Sequence, residues 1–218
     1  MAPQCEKVRN FVQILLKWAE NNTRNFPWRN TRDAYRILMA EVMLQRTRVE
    51  QVVPVFERFM KRYPDWTSLS VASESDIGAE IQSLGLGKRA SGLKKLAAQL
   101  LLEYNDEVPP NRDALMRLFG IGNYISNAVL CYAFGFDVPT VDSNFARVLV
   151  RVFSLTAKPP AQKDRTVLEF AESLMPLVKK HARELNLGII DLAAKLCTPR
   201  NPLCGTCPLN SLCDYACE

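Results

Sequence analysis

Apolar residues recur at spacings of three and four along most of the chain. In EKVRNFVQILLKWAE they fall at Val8, Phe11, Leu15 and Trp18, the period of an amphipathic helix. DAYRILMAEVMLQ and QVVPVFERFMKRY continue it. Breakers stand at Pro27, Pro64, Gly85 to Gly87, Pro109-Pro110, Gly120 to Gly122, Pro139 and Pro159-Pro160, cutting the chain into helices of about 8 to 20 residues. No β-hairpin signal and no low-complexity linker interrupts the series, so the pattern predicts an all-α protein. SLGLGKRASGLKKLAAQLL and LFGIGNYISNAVLCYAF both run apolar residue, Gly-x-Gly, amphipathic helix. Two similar helix–turn–helix units would explain this echo, and so would two unrelated tight turns.

Composition narrows the field without identifying a function. A chain of 218 residues with 48% hydrophobic and 23% charged positions can bury a core as one domain or two small ones and lacks the character of a disordered chain. Its net charge of +5 suits contact with a polyanion but is too modest to specify one. Glu6, Lys7, Arg9, Lys17 and Glu20 interrupt positions 1 to 30. No signal peptide, transit peptide or membrane span is read there, and the expected setting is intracellular, without membrane contact.

Five of the seven cysteines crowd into LCTPRNPLCGTCPLNSLCDYACE. In a reducing compartment such crowding favours metal or cluster ligands over disulfides, which an uneven count also fits poorly. Cys197, Cys204, Cys207 and Cys213 follow C-x6-C-x2-C-x5-C, one knuckle flanked by single cysteines rather than the paired knuckles usual in structural zinc sites. Four thiolates on a short, turn-rich path can surround a [4Fe–4S] cluster; zinc stays open on spacing alone. Cys5, Cys131 and Cys217 fall outside the pattern. With His181 as the single histidine, histidine-based triads are not expected.

Three further positions carry possible chemistry. Gly120 and Gly122 give a turn opening into a helix, whose first N–H groups and dipole suit a phosphate oxygen; a simple helix–helix turn reads the same way. Asp142, in TVDSNFARV, sits where an extended apolar stretch meets a helix, the position of an N-cap. Glu41 falls among Ile37, Leu38, Val42 and Leu44, apolar surroundings that favour a protonated carboxyl; an exposed helix glutamate is the alternative.

The phrase L-x-G-I-G-x-Y followed by VPTVDSNFARVLVR resembles the helix–hairpin–helix and Gly/Pro–Asp element of the endonuclease III and MutY-like DNA glycosylases. RNFPWRNTRDAYRILMAEVMLQRTRV resembles the first core segment of the MutY-like branch, and the cysteine spacing matches the endonuclease III family. The resemblance covers about residues 24 to 213, with the three motifs in family order. It implies two lobes: a helical barrel at 30–137 containing the hairpin, and residues 1–29 packing with a catalytic-aspartate and cluster lobe at 138–218. It also implies that double-stranded DNA crosses the cleft on the backbone of Gly120, Gly122 and Asn123 and on the basic residues Lys88 and Arg89.

By the same resemblance Asp142 is the catalytic aspartate, with Asn144 as its hydrogen-bond partner, and Glu41 lies in the base pocket as proton donor or hydrogen-bond partner to the departing base. Cys197, Cys204, Cys207 and Cys213 are the ligands of a [4Fe–4S] cluster. Gln45 and Arg46 fill the gap left by a flipped nucleotide, although Arg46 and Arg48 also read as surface charges. Bifunctional relatives carry a lysine after the hairpin where this chain has Tyr124. A phenol cannot form an imine, so water is the expected nucleophile and an abasic site the product.

Adenine-excising relatives have paired tyrosines, the first aligning with Leu86, and a Gln-Gln pair where Arg46 stands. Leucine at that position suits an apolar wedge inserted into the base stack. The chain also stops just beyond the cysteines, leaving no room for the domain that reads 8-oxoguanine. The expectation is a monomeric mismatch glycosylase of base excision repair acting on thymine or uracil opposite guanine. Adenine removal from a mismatch is the second reading. A non-catalytic iron–sulfur DNA-binding protein is the third, and it leaves Asp142 and Glu41 unexplained.

Overall fold

The computed structural model describes residues 2–45 and 47–217, with side chains over 5–45 and 47–216; Arg46 lies outside the described residues. Every regular element among them is helical, as the apolar period predicts. The α-helices are α1 (Ala2–Asn22), α2 (Ala34–Met43), α3 (Val49–Arg62), α4 (Trp66–Val71), α5 (Glu74–Ile81), α6 (Ala90–Tyr104), α7 (Arg112–Arg117), α8 (Asn123–Tyr132), α9 (Ser143–Phe153), α10 (Arg165–Val178) and α11 (Ala182–Lys195). Their starts are set by short polar side chains. Asp33, Asp65, Ser73, Asn111, Asp142 and Asp164 each accept a hydrogen bond from a backbone N–H of the first turn they precede, satisfying a donor the helix cannot pair internally.

Packing divides the chain into two compact units. One joins Met1–Arg24 to Gly135–Glu218. In it α1 packs on α10 and α11, and α9 packs on α11. Phe11, Leu15, Phe145, Leu149, Leu185 and Ile189 are wholly buried, each such side chain contributing ~1.5–3 kcal/mol when removed from water. Gly188 allows α11 to approach α1 closely: a Cβ there would lie 3.0 Å from the Cβ of Ala19, inside normal contact distance. The backbone N–H and Nε of Arg24 donate to the two carboxylate oxygens of buried Asp191, each at 2.7 Å, which pairs a charge that burial would otherwise disfavour.

The other unit is Asn25–Phe134. Here α2 packs on α3 and α8, α6 on α4 and α5, and α7 on α8. Ile37, Leu38, Met39, Phe56, Phe59 and Leu69 form its interior. The Tyr35 ring meets Trp66 edge-on at 4.4 Å, and its hydroxyl donates to the Tyr63 carbonyl at 2.6 Å. Burial, then the nearby carboxylates of Asp65 and Asp33, push the Tyr35 phenol well up, which keeps it a donor.

Candidate functional site

In the unit containing both termini, the irregular stretch Gly135–Val141 leads into α9. Asp142 stands at the junction, partly exposed. One carboxylate oxygen accepts from the Phe145 N–H at 2.7 Å and the other from Asn144 Nδ2 at 2.8 Å. The helix cap expected at this position is therefore real, and it leaves the carboxylate fixed at both oxygens rather than hidden.

Asn144 passes the connection on. Its Oδ1 accepts from Arg147 Nη2 at 3.0 Å. Arg147 Nε donates to the Cys197 carbonyl at 2.8 Å, and Nη2 to the Ala193 carbonyl at 3.1 Å. Burial draws the Arg147 guanidinium below its usual range, partly offset by Cys197; it stays charged, as arginine does in proteins. One turn further along α9, Arg151 Nη1 approaches Cys197 Sγ at 3.4 Å and donates to the Thr198 carbonyl at 2.7 Å, while Nη2 donates to the Pro199 carbonyl at 2.9 Å. Its guanidinium also lies over the Tyr215 ring at 4.6 Å. Neither arginine was expected from the sequence. The available signal was the polar stripe Asn144, Arg147, Arg151, at helical spacing on an otherwise apolar helix.

After α11, short 3-10 turns at Cys204–Thr206 and Asn210–Leu212 fold the loop back on α9 and α11. Cys197, Cys204, Cys207 and Cys213, none of them in a disulfide, line one partly open hollow together with apolar residues such as Val148, Leu192 and Leu209. Four thiol side chains around one hollow are a soft donor set that fits a [4Fe–4S] cluster. Burial pushes the Cys207 and Cys213 thiols up; a bound cluster would supply the positive charge that favours their thiolates.

In the other unit, α7 and α8 are joined by a tight turn. Gly120 has φ +76°, the left-handed region that favours glycine, and Ile121 is buried as its anchor. Gly120, Gly122 and Asn123 are exposed. The start of α8 carries no side-chain cap, leaving a first turn suited to an anion. Asn123 Oδ1 accepts from Arg112 Nη2. Gln99 of α6 braces the turn: Oε1 accepts from the Phe119 N–H at 3.0 Å, and Nε2 donates to the Arg117 carbonyl at 3.3 Å.

Glu41 is buried at 5% exposure on α2, the helix packed against α8. Tyr124 is half-buried on α8. Arg89 Nη1 donates to Gln45 Oε1, so two of the expected DNA-facing residues meet, and Lys88 is exposed beside them. Leu86 is 7% exposed and follows the left-handed turn at Gly85, φ +71°.

Residues 39–174 match the model of the HhH-GPD superfamily base excision DNA repair proteins, and residues 197–213 match the iron–sulfur binding domain of endonuclease III. A thymine/uracil-DNA glycosylase of Pyrobaculum aerophilum is 38% identical over 99% of this chain and 95% of its own length. The solved structure of a thermostable thymine-DNA glycosylase superposes with TM-score 0.89 at 35% identity, over 98% of both chains. An adenine DNA glycosylase of Mycolicibacterium smegmatis is 35% identical over 90% of this chain and 66% of its own length.

Proposed function

The chain belongs to the HhH-GPD superfamily of base excision DNA repair proteins, and from that premise we propose that it is a monofunctional glycosylase removing thymine or uracil mispaired with guanine. That it is a DNA glycosylase acting on DNA and holding a [4Fe–4S] cluster follows from the family matches. The base, the opposite base and the lack of lyase action are our reading.

Cleavage of an N-glycosidic bond sends the bonding electron pair to the base and leaves positive charge on the sugar. Asp142 stabilises that charge as a fixed carboxylate and accepts a proton from the water that adds to the anomeric carbon. Glu41 gives a proton or hydrogen bond to the departing base. Tyr124 replaces the amine that a lyase would need, so the product is an abasic site in an unbroken strand. The Gly120–Gly122 turn and the α8 start hold backbone phosphate, with Lys88 and Arg89 adding charge. A mispaired base is also easier to extrude, which contributes selectivity before any pocket contact forms. Cys197, Cys204, Cys207 and Cys213 hold the cluster, whose part here is to order the loop that Arg147 and Arg151 grip.

The observation that carries this reading is the Asp142 carboxylate, immobilised at both oxygens at the mouth of α9. Preference for a pyrimidine rests on the full-length similarity to a thymine/uracil enzyme and on arginine at position 46. The test is incubation with duplexes carrying T·G, U·G, A·G and A·8-oxoguanine, then alkaline cleavage. Scission at T·G and U·G alone, abolished by Asp142→Asn, is expected. Cleavage confined to the adenine mispairs would refute the substrate, and full activity in Asp142→Asn would refute the mechanism.

A further inference from the structure

The stretch before Asp142 is held by a side chain from a helix distant in sequence. Pro139, Thr140 and Val141 are buried, yet they belong to no helix, and the described residues contain no strand that could pair with them. Buried backbone donors and acceptors require partners. Pro139 has no N–H to offer.

One side chain meets that need from across the unit. Asn186, wholly buried on α11, accepts from the Thr140 N–H through Oδ1 at 3.2 Å and donates through Nδ2 to the Val138 carbonyl at 2.9 Å. The amide thus bridges a carbonyl and the N–H two residues on, as a neighbouring strand would. An apolar side chain of the same size would fill this space without burying polar atoms, so packing alone does not call for asparagine here.

The clamp stands two residues before Asp142. Consecutive Cα atoms are held at a fixed ~3.8 Å, and Val141 between them is buried, so little slack separates Thr140 from the carboxylate. On the other side Asp142 is bound to α9 through Phe145 and Asn144. We propose that Asn186 is a positioning residue for the reaction: by pinning Val138 and Thr140 it fixes where the backbone delivers the Asp142 carboxylate. The inference rests on the reading of Asp142 as the catalytic carboxylate.

The test uses the cluster-loaded protein. Asn186→Leu removes both hydrogen bonds at near-constant volume; Asn186→Asp keeps the acceptor for Thr140 but sets an oxygen against the Val138 carbonyl. For each, the single-turnover rate at saturating enzyme, the dissociation constant for an abasic-site duplex, iron and sulfide content, and amide exchange across 138–142 are measured, with Asp142→Asn alongside. The rate is expected to fall about a hundredfold, the effect of a small misplacement of a catalytic group. Product affinity and iron content should stay at the parent's values while exchange at Thr140 accelerates. A parental rate despite accelerated exchange overturns the proposal, as does a loss of affinity or iron in step with the rate. If Asn186→Leu fails to fold, Asn186→Asp decides by the same criteria. Full activity in Asp142→Asn would instead defeat the catalytic reading itself, whatever the Asn186 variants do.

Discussion

The carboxylate of Asp142 is tied to the backbone carbonyl of Cys197 by two side chains, Asn144 and Arg147, in an unbroken series of hydrogen bonds of 2.8, 3.0 and 2.8 Å. The two members of this bridge have different duties. Asn144 connects Asp142 to Arg147, whereas Arg147 also grips the carbonyls of Ala193 and Cys197. Asn144→Ala should therefore slow base excision about 10- to 100-fold, as expected for a loosened catalytic group, and leave iron content unchanged. Arg147→Ala should lower both the rate and the iron retained on purification. Single-turnover kinetics with iron and sulfide analysis separate the two outcomes, and iron loss in Asn144→Ala would contradict this division.

The two hairpin glycines should respond differently to alanine. At Gly120 a Cβ meets nothing within 4 Å, but φ is +76°, so Gly120→Ala stores on the order of 1–2 kcal/mol of backbone strain and should lower the melting temperature. Gly122 has an extended backbone, φ −105°, and equally open space. Gly122→Ala should melt like the parent yet bind duplex DNA more weakly, because the new methyl stands where a phosphate approaches. Thermal melts and fluorescence anisotropy with a labelled duplex are the measurements; equal affinity in Gly122→Ala would remove the hairpin from the DNA interface.

Acid should weaken the fold through its helix caps. At Asp65 the Ser68 N–H, then the Ser68 hydroxyl, hold the carboxyl below its ordinary value of 3.8. A folded pKa below the unfolded one means that this stabilisation is fully present above pH 3.8 and is lost as pH falls through the lower folded value. Asp65→Asn still caps the helix but does not titrate. Its melting temperature should match the parent's near neutrality and fall less steeply below about pH 4. Parallel slopes for the two proteins would show that the cap is not titrating as described.

Much of this was legible because it is local. The three-and-four spacing of Val8, Phe11, Leu15 and Trp18 marks a helix whatever it packs on, and QVVPVFERFMKRY reads through Pro54 to an observed helix. The four cysteines announce themselves by spacing, and Asp142 by its place before a helix. What was not legible depends on who the neighbours are. Periodicity places Arg147 and Arg151 on one stripe of α9 but cannot say that the stripe faces the Cys197 loop. Gln99 and Asn186 act through backbone groups of distant segments, which no side-chain pattern records. Leu86 is read as a wedge from the family resemblance, while its burial at 7% depends on neighbours that the sequence does not name.

Tyr124 makes the sharpest demand on the proposed chemistry. It is half-buried on the first turn of α8, and its phenol has no nitrogen with which to attack the sugar. Tyr124→Lys would place a primary amine on that turn. The amine displaces the base from the anomeric carbon, the sugar ring opens to an imine, and elimination of the 3′ phosphate then breaks the strand. With a T·G duplex the variant should form a covalent protein–DNA adduct that borohydride traps by reducing the imine, and should nick the strand without alkali. The parent should do neither. An adduct trapped with the parent would mean that another amine of this chain reaches the sugar and that the enzyme is bifunctional. A variant that excises the base but never traps would mean that position 124 does not face the anomeric carbon.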